Sequence, residues 1–518
     1  MSEEKAMPAE SRQNERKEKE KAMARGYETA RGRRKKRRRR NAMIKRILLI
    51  LILLVLIVGV AYAVVKIIGG GKKTEDNSVS FSAAESGASS AVDESTDAVE
   101  TTAAGEEKTS VMEQADLMAA GYDYDGAIAL LQTIPGYESD ADITAAIQNY
   151  EATKATCVAV DVDKVPHIFY HSLVNDPSKA FSEEVMGSQA AGFNAWMTTI
   201  EEFDKITQQM YDNGYVFVRL RDLVVETTDE DGNVHFEKNT NLMLPPDKKA
   251  VVLSVDDLSY YHAYEAASYP DKLVLDENGN VKCHYVDASG NESVGDYDVV
   301  PRLNTFLNEH PDGAYKGARG LIALTGYNGV FGYRTDIDYK VKEHLQDNQK
   351  AWLDAHPDFN YEQDIEDAKV IAQALKDEGW EFASHTWGHL SVTQKTAEQL
   401  EVDNEKWVNT VQNIVGPVDT IIFAHGNDIG TWQDYTMDND KYAYYKSVGY
   451  NFFCNVDGSQ EYWVQIRDQY VRQGRINLDG YSLYKATQGG MEFLKKMFDP
   501  MDVFDTRRPT PVVANGQG

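Results

Sequence analysis

Residues 47–65 form a run of nineteen positions with neither a charge nor a proline. At 1.5 Å rise per residue, a helix of that length spans roughly 28 Å, close to the hydrocarbon thickness of a bilayer. This feature constrains the chain most, because everything before and after it must be placed on one side of a membrane or the other. The expectation is a transmembrane helix over 47–68. Immediately before it stand Arg33, Arg34, Lys35, Lys36, Arg37, Arg38, Arg39 and Arg40, with Lys45 and Arg46 against the apolar run. Such a cluster holds the tail 1–46 in the cytoplasm and sends the C-terminal mass outward. Nucleic-acid or anionic-lipid binding is the other reading of a basic run; its position beside the apolar helix favours a topology signal.

The chain has a net charge of −28, and residues 1–46 contribute +11 (18 Lys and Arg against 7 Glu), which leaves −39 for the rest. An outer part of that charge repels phosphates, so a nucleic-acid partner is not expected. Ala61-Tyr62-Ala63 resembles a signal-peptidase site. A 46-residue charged lead is atypical of a cleaved signal, so the expectation is a single-pass protein of the cell membrane. Cys157, Cys283 and Cys454 have no metal-type spacing, and their odd number argues against a disulfide framework.

Residues 69–110 are rich in Ser, Thr, Ala, Gly and acids, with few large apolar side chains to offset the entropy of ordering, and read as a disordered linker. Over 111–156, Leu117, Tyr122, Tyr124, Ala127, Ile128, Leu131, Ile143, Ile147 and Tyr150 recur near helical spacing. Residues 119–131 resemble one tetratricopeptide unit. A single unit cannot bury its own apolar face, so a stalk is expected, with a protein partner for this segment as the alternative.

From 165 to 490, short apolar runs alternate with helical stretches. Strands are expected at 168–170, 216–220, 251–255, 321–324, 381–383, 420–423 and 451–454, with helices between most of them, an order that favours a parallel sheet or barrel with helices outside. Residues 258–320 break the rhythm: Asp276-Glu-Asn-Gly-Asn280 between two apolar stretches is a hairpin signature inside an insertion. Residues 491–518 read as a C-terminal tail.

Two pairs of residues carry the chemistry. The buried-type run 251–255 ends in Asp256-Asp257, which alone could be a turn or a helix cap. The strand 381–383 leads into Ser384-His385-Thr-Trp-Gly-His389, in which two imidazoles four apart can share one helical face. One core and one surface histidine is the plainer reading. Together, an Asp and two His just past strand ends make a three-ligand set that leaves coordination positions for water and substrate.

The order Tyr170-His171-Ser172, a strand ending in Asp-Asp, and Gly379-Trp-Glu-Phe-Ala-Ser-His-Thr-Trp-Gly-His389 resembles the polysaccharide deacetylase family (NodB homology, carbohydrate esterase family 4) over roughly 165–485. The resemblance implies an α/β fold, a distorted (β/α)7 barrel, here preceded by the transmembrane helix and the helical segment. It implies a divalent metal, commonly zinc, and removal of N-acetyl groups from an acetylated polysaccharide such as peptidoglycan or an exopolysaccharide. It makes Asp256 the catalytic base and Asp257, His385 and His389 the metal ligands.

Ser254-Val255-Asp256-Asp257-Leu258 matches the family's Thr-Phe-Asp-Asp-Gly without its glycine. Phe423-Ala424-His425-Gly426-Asn427-Asp428 lacks the Arg and prolines of the third motif, and Arg475-Ile476-Asn477-Leu478-Asp479 lacks the histidine of the closing Leu-x-His. An amide leaving group needs a proton, so His425 and His171 are the substitute acids. Among nearby aromatics, Tyr260, Tyr327 and Trp387 are expected to face the sugar. A barrel that binds glycan without turnover, and an envelope scaffold acting through the helical segment, are the rival readings.

Overall fold

The computed structural model describes residues 96–287 and 289–514. The expected tail 1–46, apolar span 47–68 and first part of the linker lie outside them. Among the described residues, no helix is long and apolar enough to cross a membrane.

Seven parallel strands close into a ring in chain order: β1 His167–Tyr170, β2 Lys249–Asp256, β3 Leu321–Leu324, β4 Glu381–Ser384, β5 Thr420–Ile422, β6 Phe452–Val456 and β7 Tyr470–Asn477. Register is set by pairs such as Tyr170↔Val255, Leu321↔Ser254, Leu324↔Ser384, Ile422↔Cys454 and Ile476↔Ile168. The expected seven-stranded barrel is therefore present, but one expected member is not in the ring. Tyr215–Phe217, which overlaps the start of the expected strand 216–220, pairs with the first residues of β2 outside the ring. Its place is taken by β7, which the apolar pattern did not flag, because Tyr-Val-Arg-Gln-Gly-Arg-Ile-Asn turns polar side chains inward.

The period-2 geometry of strands explains that interior. Outward-facing Ile168, Tyr170, Leu253, Val255, Ile322, Leu324 and Ile476 pack under the surrounding helices. The inward set includes a buried polar column: His167 bridges Gln473 Oε1 (3.0 Å) and Ser254 Oγ (2.9 Å), and Arg475 bonds Ser254 Oγ (3.1 Å) and both oxygens of Asp256. Burial holds His167 well below the usual histidine range, so it is neutral in this column. Small Ala323 and Ala383 on neighbouring strands are also fully buried and belong to the apolar cluster of the barrel base.

That base is closed by the helical segment: α1 Thr96–Ala120, α2 Tyr124–Leu131 and α3 Ala141–Thr156. Tyr122, Tyr124, Ala127, Leu131, Ile143 and Tyr150 are buried in one cluster with Val252, Leu321, Ala323, Ile422 and Val471. Tyr122 donates to the Asp312 carbonyl (2.6 Å), and Lys316 N–H donates to the Gly121 carbonyl (2.7 Å). The segment expected as a stalk packs on the barrel, which supplies the apolar partner that a single repeat lacks. The expected linker 69–110 is corrected in its last part, which is helical from Thr96. Ala and Glu are strong helix formers, and Lys108 Nζ ties the helix to Asp140 at 2.5 Å.

The hairpin signature in 258–320 forms as Lys272–Leu275 antiparallel to Val281–Val286, extended by Glu292–Gly295. The expected C-terminal tail packs into the main core through Leu494, Met497, Phe498 and Val503. It is locked there by Arg508, whose guanidinium is paired with Glu202 at 2.6 Å, both fully buried. The three cysteines are buried and free, in line with the expectation of no disulfide framework.

Candidate metal centre and active site

Each chemistry-bearing residue stands at or just past the C-terminal end of a barrel strand: Asp256 and Asp257 at β2, His385 and His389 at β4, His425 at β5, and His171 at β1. Their loops are bent by left-handed residues that are not glycine, namely Asp257 (φ 60°), Tyr260 (49°), Thr386 (63°), His389 (50°) and His425 (59°). Such conformations cost about 1–3 kcal/mol each and persist only where surrounding structure enforces them. The two histidines of residues 384–389 therefore do not share a helical face as their spacing suggested. A turn at Thr386 swings them together, with ring centroids 5.0 Å apart.

The ligand atoms of Asp257, His385 and His389 all lie within 4.8 Å of one another, and His389 Nε2 is 3.5 Å from Asp257 Oδ2. That spacing fits a tetrahedral set with bonds of roughly 2.0–2.2 Å. His385 donates from Nδ1 to the Ile422 carbonyl (2.8 Å), which fixes the ring and leaves Nε2 facing the acids. Burial lowers His385 to about 4, against the pull of Asp256 and Asp257, so its imidazole is neutral and competent to ligate. Burial pushes Asp257 up, but His389 and His385 outweigh it and hold the carboxyl below its usual value. The donor set therefore fits a divalent cation.

Asp256 does not point at the same place. Arg475 grips it from β7 with two bonds of 2.8 and 2.9 Å, and His385 Nε2 is 3.8 Å from its Oδ2. Burial alone would raise this carboxyl; Arg475, assisted by His385, overrides burial and brings it to about 2. Arg475 itself lies over the Phe169 ring at 3.9 Å.

Both substitute acids reach the cluster. His171 lies 5.8 Å from Phe169 edge to face, is lowered by burial, and keeps a buried Nδ1 with no protein partner. His425 is exposed, donates from Nε2 to the His389 carbonyl (3.0 Å), and sits 4.3 Å from the His389 ring; burial and then His389 lower its pKa.

Two of the three aromatic assignments are corrected. Tyr260 is 1 % exposed and turns into the core, donating to Asp298 Oδ2 (2.8 Å). Trp387 packs on Gly326 and under Lys406 (4.3 Å) rather than on the cleft. Tyr327 does line the cleft beside the ligands, stacked on Tyr261 at 4.9 Å.

Three residues were given no role from the sequence. Tyr261 donates to Asp257 Oδ1 (2.8 Å), orienting the ligand. Asn328 lines the cleft with a buried Nδ2 that has no partner, while its Oδ1 accepts from Gln349 Nε2 (3.2 Å). Arg475 is the third, and its only signal was a charged residue two places before Asn477 in the segment compared with Leu-x-His. The cleft beside Asp257 and His389, lined by Tyr261, Tyr327 and Asn328, has a volume of about 280 Å³.

The model of the family described as polysaccharide deacetylase matches residues 357–450. That range holds His385, His389 and His425, whereas Asp256, Asp257 and Arg475 lie outside it. No curated protein matches the chain. Among solved structures, Streptococcus pyogenes deacetylase PplD in complex with acetate aligns over 65% of this chain and 99% of its own, at 13% identity and a TM-score of 0.31, too loose a likeness to bear on the site. Over residues 357–450, the stretch that carries both ligand histidines, the chain matches the polysaccharide deacetylase family that its motifs resemble.

Proposed function

We propose that the protein is a metal-dependent hydrolase that removes acetyl groups, chiefly N-acetyl, from an extracellular or cell-wall polysaccharide, and that residues 47–65 hold it in the cell membrane. The convergence of Asp257, His385 and His389 beside an ionised Asp256 supports this reading above all. A divalent cation on those three residues, zinc by their chemistry, supplies Lewis acidity and brings the pKa of water toward neutrality. Asp256 accepts the proton of the attacking water, and Arg475 holds its carboxylate in the ionised form. Tyr261 and the Ile422 carbonyl keep Asp257 and His385 in place. His171, with its unpartnered Nδ1, and His425, over the His389 ring, are positioned to protonate the leaving amine.

A second reading rests on one observation. A carboxyl held near 2 by a bidentate guanidinium is a weak base, which suits a barrel that binds glycan without turning it over. Metal content and acetate release, measured together on N-acetylglucosamine oligomers and peptidoglycan, separate the two. One metal per chain, with acetate release abolished in Asp256→Asn and metal retained, supports the hydrolase. Metal without acetate supports the binding barrel, and absence of metal overturns both.

A further inference from the structure

A chain of hydrogen bonds ends in the wall of the metal cleft, and the chemistry described above uses none of it. It joins Glu265 and His262 on the turn His262–Ala267, Tyr339 on the helix Ile337–Val341, and Asn328 on the segment after β3, with Gln349 of the helix Asp347–Ala355 at its end. His262, Asn328 and Gln349 line the cleft together with Asp257 and His389, whereas Tyr339 is buried.

The partners fix which way the donors point. The Gln346 N–H donates to Gln349 Oε1 (2.7 Å), so the end of Gln349 that meets Asn328 is its Nε2 amide, and the Asn328 atom met at 3.2 Å is the acceptor Oδ1. The Tyr339 hydroxyl bonds the same Oδ1 and gives it the one hydrogen a hydroxyl has. His262 Nε2 lies 2.7 Å from that hydroxyl and, with no hydrogen left there to receive, donates to it. On the other side of the ring, Nδ1 meets Glu265 Oε1 at 2.5 Å, a contact that requires a proton between the two atoms. The His262–Glu265 pair thus holds two protons, one at each ring nitrogen. Asn328, oriented by this chain and by its own N–H on Asp336 Oδ2 (3.2 Å), keeps an Nδ2 group without a protein partner.

The second proton is held loosely. Burial lowers the pKa of His262, Glu265 opposes it, and Arg334, 3.5 Å from Nδ1, and then His356 add to the lowering. The Glu265 side chain is half exposed, which gives the pair contact with solvent. Once that proton leaves, Nε2 becomes an acceptor and Tyr339 turns its hydrogen to the ring. The oxygens of Tyr339 and Asn328 then face each other with no hydrogen between them, and the amide loses its anchor. We propose that His262 is a positioning residue of the metal cleft: with both ring nitrogens protonated it turns the Tyr339 hydroxyl onto Asn328 and holds that amide ready to donate Nδ2–H to a substrate oxygen. The inference rests on the function proposed above, and adds that substrate binding weakens as pH rises through the loss of this proton.

The test is calorimetric titration of the full-length, zinc-loaded Asp256→Asn protein with N-acetylglucosamine hexamer at about pH 5.5 and about pH 8, on either side of the histidine range. Binding is expected to weaken about tenfold at the higher pH, the effect of one lost hydrogen bond. Adding His262→Gln, whose amide donates at any pH, should make binding about equal at the two. Adding His262→Leu or Tyr339→Phe should weaken binding about tenfold at the lower pH, and the two together no more than either alone, since they break one chain. A pH dependence unchanged by His262→Gln, additive losses in the combined variant, or no loss with Tyr339→Phe, which keeps the packed ring, overturns the inference. So does a parent protein that binds the hexamer at neither pH, or a variant that holds less metal than the parent, because His262 would then support the ligands rather than Asn328. Acetate release by the wild type is scored separately. The expected binding pattern without acetate refutes the hydrolase and leaves the positioning role standing, whereas acetate release with a KM indifferent to His262→Leu and Tyr339→Phe does the reverse.

Discussion

Replacing Arg475 with methionine removes the guanidinium paired with Asp256. The carboxylate is 2 % exposed, and Arg475 is 1 % exposed. Breaking a buried pair from one side costs about 3–5 kcal/mol, because the surviving charge is left without compensation. A lowered carboxyl pKa has a second consequence. Asp256, held near 2, stabilises the fold above the unfolded carboxyl value near 3.9, by about 2–3 kcal/mol, and loses that contribution as pH falls through 2. In Arg475→Met the burial that Arg475 overrides takes control, the carboxyl rises, and the acid limb of any acetate-release profile moves to higher pH. Urea unfolding followed by tryptophan fluorescence at neutral pH should show the 3–5 kcal/mol loss, and Arg475→Met with Asp256→Asn should recover more than half of it, since neither charge of the pair remains. A loss below about 1 kcal/mol, or a double variant no more stable than the single one, would refute the view that the pair is a buried, mutually dependent unit.

A Cβ on Gly326 would lie 2.1 Å from Trp387 Cδ1, so Gly326→Ala should displace the turn that carries His385 and His389 and destabilise the protein by about 1–3 kcal/mol; a thermal scan with metal quantification checks both effects. Asp479, raised to about 7 by burial, prefers to be protonated in the fold, so its contribution to stability falls as pH climbs from about 4 to 7. Asp479→Asn keeps an acceptor for the Ser482 N–H and should raise stability at pH 8 by on the order of 2–4 kcal/mol while changing little at pH 4, read from melting temperature against pH. Asn328→Asp exchanges the unpartnered Nδ2 for an acceptor and should raise KM for an acetylated oligomer about tenfold with a smaller change in kcat, the pattern of a lost binding contact; an unchanged KM would place Asn328 outside the substrate contacts.

The carboxylate pair and the two histidines were legible from sequence because each directly follows an apolar strand, and strand ends are where such barrels place their chemistry. The alternation of apolar runs and helical stretches pointed to a parallel sheet or barrel with helices outside, and the (β/α)7 form was what the family resemblance implied. Strand β7 was not legible in that way. Its Gln473 and Arg475 give no apolar signal, and only ring closure makes them an interior lining in which Arg475 meets Asp256 across 219 residues of chain.

The same distinction holds for the aromatics. Proximity in sequence put Tyr260 and Trp387 near the site, but left-handed turns at Asp257, Tyr260 and Thr386 decide which side chains reach the cleft, and those turns aim Tyr261 at the ligand and Tyr260 into the core. Sequence alone determined which residues have side chains suited to metal binding and acid–base chemistry and in what order they follow strands, because residue type and apolar period are local properties. Tertiary structure decided that Asp257, His385 and His389 meet, that Arg475 neutralises the buried Asp256, and that the helical segment closes the barrel base. Each of these is a contact between distant parts of the chain, set by packing and charge compensation in three dimensions.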